Sequence, residues 1–200
     1  MKKLNIILTM LVLLFAGVSI LNAQEYEWNA ECKINISGWT NYWFTSAIDP
    51  TDSSKKVNDF VWAGGIKYGV TNDFLLGIDI LYFNWSKSYP TPVTGEAKFS
   101  LTPIFIAGQY NFPIEDVPEL LPSIKLGFGF IPTKVITSVS VGNVSVISES
   151  NENKFGFEVV TGIEIFAGPE FSIGMNIGYL YNGYADLNGI FLGSGLNGYF

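Results

Sequence analysis

The last fourteen residues, Leu187-Asn-Gly-Ile-Phe-Leu-Gly-Ser-Gly-Leu-Asn-Gly-Tyr-Phe200, carry the pattern that decides the fold. Taken two at a time, one face holds Ile190, Leu192, Ser194, Leu196, Gly198 and Phe200. The other holds Gly189, Phe191, Gly193, Gly195, Asn197 and Tyr199. Successive side chains of a strand point to opposite sides, so this is a strand with one oily face and one small, weakly polar face. It ends on a free aromatic residue, and Gly198 interrupts the oily face one step earlier.

The same alternation recurs upstream. Segments 32–44, 59–70, 74–85, 99–112, a run from 123, 154–166 and 171–182 each read as strands, which makes eight with 187–200. In the third, Leu76, Ile78, Ile80 and Tyr82 oppose Gly77 and Asp79; in the sixth, Phe155, Phe157, Val159, Thr161, Ile163 and Ile165 oppose Gly156, Glu158, Val160, Gly162 and Glu164. The fourth is least regular, because Ile104 to Ala107 is continuously apolar and Pro103 removes a ladder donor. Residues 71–73 and 167–170 are short turns, whereas 46–58 is a polar loop and 113–122 a longer connection. Beyond Pro132 the alternation resumes through Val135 to Val141, turns at Gly142-Asn143 and returns from Val144 to Ser148. Asn151-Glu152-Asn153 reads as a polar bulge that breaks this hairpin.

Met1-Lys-Lys, an apolar run from Leu4 to Leu21 and small or polar residues around Ala23 describe a secretory signal peptide, residues 1–23, cut to leave 24–200. Losing it removes two lysines and no acid, and takes the net charge from −7 to −9. All eleven basic residues are Lys, and an acidic chain without Arg is a poor nucleic-acid binder. The lone Cys32 has no partner for an internal disulfide. The chain is 48% hydrophobic, yet beyond the leader no stretch is long and oily enough for a membrane helix. The membrane solution left is a closed barrel, because only that pairs every strand edge within lipid.

Which face points out separates a membrane barrel from a secreted lipocalin-like carrier with an oily pocket. The smaller face is mostly Gly, Ser and Asn, with Lys33, Lys67, Asp79, Lys125, Glu158 and Glu164 as its charges. It is too neutral for a solvated exterior and suits a narrow lumen. Aromatics at the segment ends (Tyr42, Trp43, Trp62, Tyr82 and Trp85; Tyr68, Phe112, Phe171 and Phe200) are placed as interfacial girdles. The expected fold is all-β: one eight-stranded antiparallel up-and-down transmembrane barrel over 24–200.

With its eight amphipathic segments and terminal Phe200, the chain resembles the small outer-membrane barrels of the OmpA/OmpX type. The resemblance implies a place in the bacterial outer membrane, contact with its lipid, and a terminal Phe200 read by the barrel-assembly machinery. It also implies that enzymes of this architecture use a catalytic His, which this chain lacks, so no catalytic residues, cofactor or metal are expected. Gly193-Ser-Gly-Leu-Asn-Gly198 spells a dinucleotide-binding motif, but no helix can follow it.

Two features remain as candidate sites. In the lumen, Lys67 should lie diagonal to Asp79, and Lys125 and Glu164 should sit close on neighbouring strands, either neutralising one another or forming a solute-selecting constriction. Outside, the hairpin Val139, Val141, Gly142, Asn143, Val144 and Val146 either offers an unpaired strand edge to an extracellular protein partner or packs on the other loops. The leading functional reading is a structural or surface-interaction barrel with a mostly filled lumen. The alternative is a narrow pore for ions or small solutes.

Overall fold

The computed structural model describes residues 28–89, 94–141, 144–183 and 187–200. The expected leader 1–23 and the Gly142-Asn143 turn lie outside the described residues, as do the side chains of Val141 and Val144. Nine strands follow one another: β1 (Ile34–Asp49), β2 (Asp52–Gly69), β3 (Phe74–Ser88), β4 (Thr94–Leu101), β5 (Ile104–Asn111), β6 (Leu120–Val141), β7 (Val144–Gly168), β8 (Phe171–Asn182) and β9 (Gly189–Tyr199). Every pairing is antiparallel, and β9 returns to β1 from Asn35 opposite Tyr199 to Thr45 opposite Gly189.

β4 and β5 are one strand interrupted at Pro103. Leu101 faces Phe83 and Ile104 faces Ile80, so the register against β3 is the same on both sides of the break. The Leu81 amide still donates to the Pro103 carbonyl at 2.9 Å, and the Thr102 amide to Pro132 at 3.0 Å. Proline costs the ladder its own donor and nothing more. The ring is therefore eight strands closed on itself, as the alternation predicts.

The oily faces point out. Trp62, Ile66, Ile106 and Phe130 are each 61–67% exposed, a band no water-soluble protein could carry. A lipocalin-like carrier, which needs the opposite orientation, is ruled out. Tyr42, Phe44 and Phe60 cluster at one rim and Tyr110 with Phe112 at the other, as interfacial girdles do. Trp43 and Trp85 are not part of that girdle: they are 1% and 6% exposed, inside the barrel. Both sit at odd positions of strands whose even positions face lipid, so period-two counting places them inside, and position at a segment end does not.

The connections also differ from the sequence reading. Residues 46–58 are strand rather than loop: β1 runs to Asp49, β2 starts at Asp52, and they pair almost to the tip. Asn151 to Asn153 is no bulge, because β6 and β7 pair from Leu120–Ile165 to Val141–Val144 with no register shift. Polar residues there replace apolar ones because both faces have left the membrane.

Both ends of the described chain lie at the rim with the short turns, hereafter the turn end. Residues 28–33 fold beneath it: the Ala30 amide donates to the Asn72 carbonyl and the Cys32 amide to the Gly69 carbonyl, each at 3.0 Å, and the Gly69 amide donates to the Lys33 carbonyl at 2.9 Å. Gly69 is needed here, since the Ala30 carbonyl oxygen lies 1.6 Å from where its Cβ would be. At the other rim, the loop end, the strands outrun the barrel.

Candidate functional site

Odd residues of β1 to β6 and even residues of β7 and β8 fill the lumen in layers. The turn end is closed by Trp28, Ala30, Leu75, Leu121, Phe166 and Tyr199. Trp28 stacks edge-on to Tyr199 at 5.1 Å and tilts on Phe166 at 5.3 Å. Towards the loop end lies a larger apolar layer that includes Trp43, Phe83, Leu101, Phe105, Ile131 and Phe191, with Trp43 edge-on to Phe83 at 5.0 Å. The lumen is thus less polar than its Gly, Ser and Asn content suggests. Large side chains from some strands lie across glycines of their neighbours, as in other small barrels.

Between the apolar layers sits the charge cluster. Lys67 pairs with Asp79 at 2.9 Å, the diagonal the sequence predicts. Lys125 bonds Asp79 and also Glu158, the latter at 2.8 Å. The expected Lys125–Glu164 proximity does not occur. Lys125 stands opposite Val160, and the β6–β7 register places Glu164 beside Leu121, two inward positions away. Glu164 is held without a lysine: Ser172 Oγ and Tyr199 Oη donate to its Oε2 at 2.6 and 2.8 Å, and Gln109 Nε2 to its Oε1 at 3.4 Å. Lys33 is outside the cluster, half-buried just before β1, with no ion pair among the described residues. Sequence reasoning missed Gln109, Ser172 and Tyr199, whose parity marks them as inward but whose meeting depends on register.

At the loop end two pieces project. β3, β4, β6 and β7 continue as one four-stranded sheet, since β3–β4 pairing reaches Ser88 opposite Glu96 and β4–β6 pairing reaches Thr94 opposite Ser140. The β1–β2 hairpin leans on its inner face, with Ala47 and Val57 in the same apolar layer as Trp85 and Ala97. The Asp49 carboxylate, 2% exposed, is bonded by Lys87 of β3 and by the hydroxyl and amide of Thr51. Burial alone would raise this carboxyl, but Lys87 and Thr51 hold it below its usual 3.8. Such a group stabilises docking above its unfolded value and loses that contribution as pH falls through the lower, folded one. Limited proteolysis should therefore find the 46–60 hairpin resistant from about pH 7 to 5 and cleaved only below the usual carboxylate range. Asp49→Asn should be cleaved at every pH, without a step.

The sequence's candidate hairpin lies in the projecting sheet. Val139 and Val146 face each other on its inner side, and Val146 and Ile147 are 61% and 73% exposed. The β6 edge is covered by β4, so it offers nothing. The free edge belongs to β7, whose pairing with β8 begins only at Gly156 opposite Asn182. Residues 144–155 have β6 on one side and no strand on the other among the described residues, roughly 40 Å of edge at about 3.3 Å per residue. The Phe166 amide donates to Glu119 on the β6 side, so even residues of β7 bond β6; odd ones turn outward, as Phe155 does in accepting from Gly183. Ser145, Ile147, Glu149, Asn151 and Asn153 thus present the unpaired amides and carbonyls.

A closed barrel with an apolar outer band and a projecting sheet is an integral membrane protein of the up-and-down β class. A family model described as the outer membrane protein beta-barrel domain matches residues 10–200, and the chain belongs to that family. It is a protein of the bacterial outer membrane, a class of barrel whose longer loops usually lie outside and whose short turns face the periplasm. It is similar in fold to the outer membrane protein OprG from Pseudomonas aeruginosa (12% identity, 88% of this chain and 99% of that one, TM-score 0.60). It is also similar to Ail, the attachment invasion locus protein of Yersinia pestis, solved with the heparin analogue sucrose octasulfate (14%, 85% and 99%, TM-score 0.55). The N-terminal β-barrel domain of Pseudomonas aeruginosa OprF aligns at 14%, 85% and 98%, TM-score 0.50. No curated protein matches the sequence.

Proposed function

We propose that this protein is a closed, non-enzymatic outer-membrane barrel that works by presenting the projecting β6–β7 sheet to a partner outside the cell. The observation that carries this reading is the lumen's closure by apolar layers at both ends, Trp28 with Phe166 and Trp43 with Phe83. A water path past the charge cluster would have to cross both, and an eight-stranded interior has little room beyond its side chains. Outside, the β7 edge has no strand beside it among the described residues, and an extended segment of another protein can add a strand there through main-chain hydrogen bonds. Residues 1–23 are read as the export signal and Phe200 as the mark used by the assembly machinery; Phe200 is 66% exposed on the lipid face, and its ring covers Gly198.

Conductance across a planar bilayer tests the closed lumen. The purified protein should insert and stay electrically silent, and only a variant that opens both layers, Trp43→Ala and Phe83→Ala together with Trp28→Ala and Phe166→Ala, should give discrete current steps. Steps from the unaltered chain that change in Lys125→Ala or Glu164→Ala would make the pore reading the correct one. Edge pairing is tested by Asn151→Pro, which removes an outward amide and leaves the β6 ladder intact. Cells displaying that variant should lose adhesion to immobilised host-cell proteins, with the amount of folded barrel unchanged.

A further inference from the structure

Between the two apolar layers the lumen keeps a cavity of about 40 Å³, lined by Asn41, Asn176, Glu164, Lys125, Trp39 and Phe191 among others. At roughly 10–15 Å³ per water-sized position, it holds an atom or ion with one or two waters. Asn41 and Asn176 flank it across a gap: both stand directly opposite Gly193 on β9, one from each neighbouring strand. Gly193 has no side chain to fill the space, and Asn41 Oδ1 lies 2.0 Å from where its Cβ would be. Asn41 is 2% exposed, and the buried Oδ1 atoms of Asn41 and Asn176 accept no hydrogen bond from the described residues.

The charges around the cavity do not balance. Three acids, Asp79, Glu158 and Glu164, face two lysines, Lys67 and Lys125; the acids and Lys67 are 1–3% exposed, and the Lys125 side chain is 19% exposed. The lysines and the other donors here are spent on the carboxylates. Lys67 and Lys125 serve Asp79 and Glu158, while Gln109, Ser172 and Tyr199 serve Glu164. The hydrogen bonds that Ser172, Tyr199 and Gln109 donate to Glu164 favour its charged form. Asn197 donates to Ser172 Oγ at 3.3 Å, leaving the Ser172 hydrogen for Glu164. An uncompensated charge in a low-dielectric interior is costly. The chamber therefore lacks one positive charge and offers neutral carbonyl oxygens to receive it. A divalent ion is a worse fit, since the described residues contain no group of three His, Cys, Asp or Glu side chains able to hold a metal.

We propose that this chamber is a binding site for one monovalent metal cation, sodium or potassium, held by the side-chain carbonyls of Asn41 and Asn176 and balancing the unpaired Glu164. The ion joins β1, β8 and β9 across the glycine gap, so it stabilises the barrel at the seam where the last strand meets the first. Because both ends are closed, it is captured during folding and exchanges slowly.

The test folds the purified full chain in zwitterionic micelles in sodium, potassium or choline chloride at equal ionic strength and measures the thermal midpoint by gel mobility. The midpoint should be about 5 °C higher in sodium or potassium than in choline, and should climb with the logarithm of ion concentration. Asn41→Leu and Glu164→Gln should each abolish the difference. Equal midpoints in all three salts for the unaltered chain would overturn the proposal and leave the cavity to water. Should the variants fail to fold, the unaltered protein folded in sodium chloride and passed through a desalting column into choline chloride decides: about one sodium retained per chain by elemental analysis supports the site, and none refutes it.

Discussion

Lys125→Met is expected to lower the thermal midpoint of the barrel more than any other single change to its polar residues. Its ammonium is bonded to Asp79 and Glu158 at once, and those side chains are 4% and 1% exposed. Asp79 keeps Lys67 as a second partner, but Glu158 has no other lysine in ion-pair contact among the described residues. Removing one member of a buried pair leaves the other charged and unsolvated, at about 3–5 kcal/mol. Gel mobility of unheated and heated samples reads this directly, as the temperature at which the folded band disappears. Adding Glu158→Gln to Lys125→Met should restore much of the loss, because the stranded charge goes with it. Glu158→Gln alone should cost less than Lys125→Met, since Lys125 then still holds Asp79. Equal losses for all three variants would mean that shape, rather than charge, sets the contribution of this layer.

Periodicity made the barrel legible. A period-two pattern states which side chains share a face, and every oily face read from the sequence turned out to face lipid. It also contains the correction for Trp43 and Trp85, whose odd positions place them in the lumen. The extended tips were harder to see, because strands beyond the membrane gain nothing from an apolar face and lose the pattern that marks them. Ser46 to Asn58 and Asn151 to Asn153 therefore read as loop and bulge, although β1–β2 pairing resumes past two register shifts in the first and β6–β7 pairing runs unbroken through the second. The candidate site was legible in its members and only partly in its pairs. Lys67 and Asp79 flank a short turn, so their register follows from the turn itself. Lys125 and Glu164 lie on strands whose register is set over more than twenty pairs, and no local feature fixes it. The cavity needs register across β1, β9 and β8 together, which no single stretch of sequence contains.

That dependence on register gives the second large effect. Phe191 lies across Gly178 of the neighbouring strand: a Cβ at Gly178 would stand 2.4 Å from the ring and 2.9 Å from the Val159 carbonyl. Phe191 is 4% exposed within the loop-end apolar layer. Phe191→Ala should therefore cost about 3–5 kcal/mol, the usual range for emptying a core aromatic. Gly178→Ala should cost about 1–3 kcal/mol by overpacking, since the methyl would press on both the Phe191 ring and the Val159 carbonyl. The two losses should not add. Once Phe191 is Ala, the methyl at 178 is relieved of the ring and keeps the Val159 carbonyl contact, and the double variant should lose clearly less than the sum of the two single losses. Two fully additive losses would mean that the ring does not lie over Gly178 and that β8 and β9 pair in a different register. Such a shift would also separate Asn176 from Gly193, so this thermal cycle checks the seam on which the cation site depends.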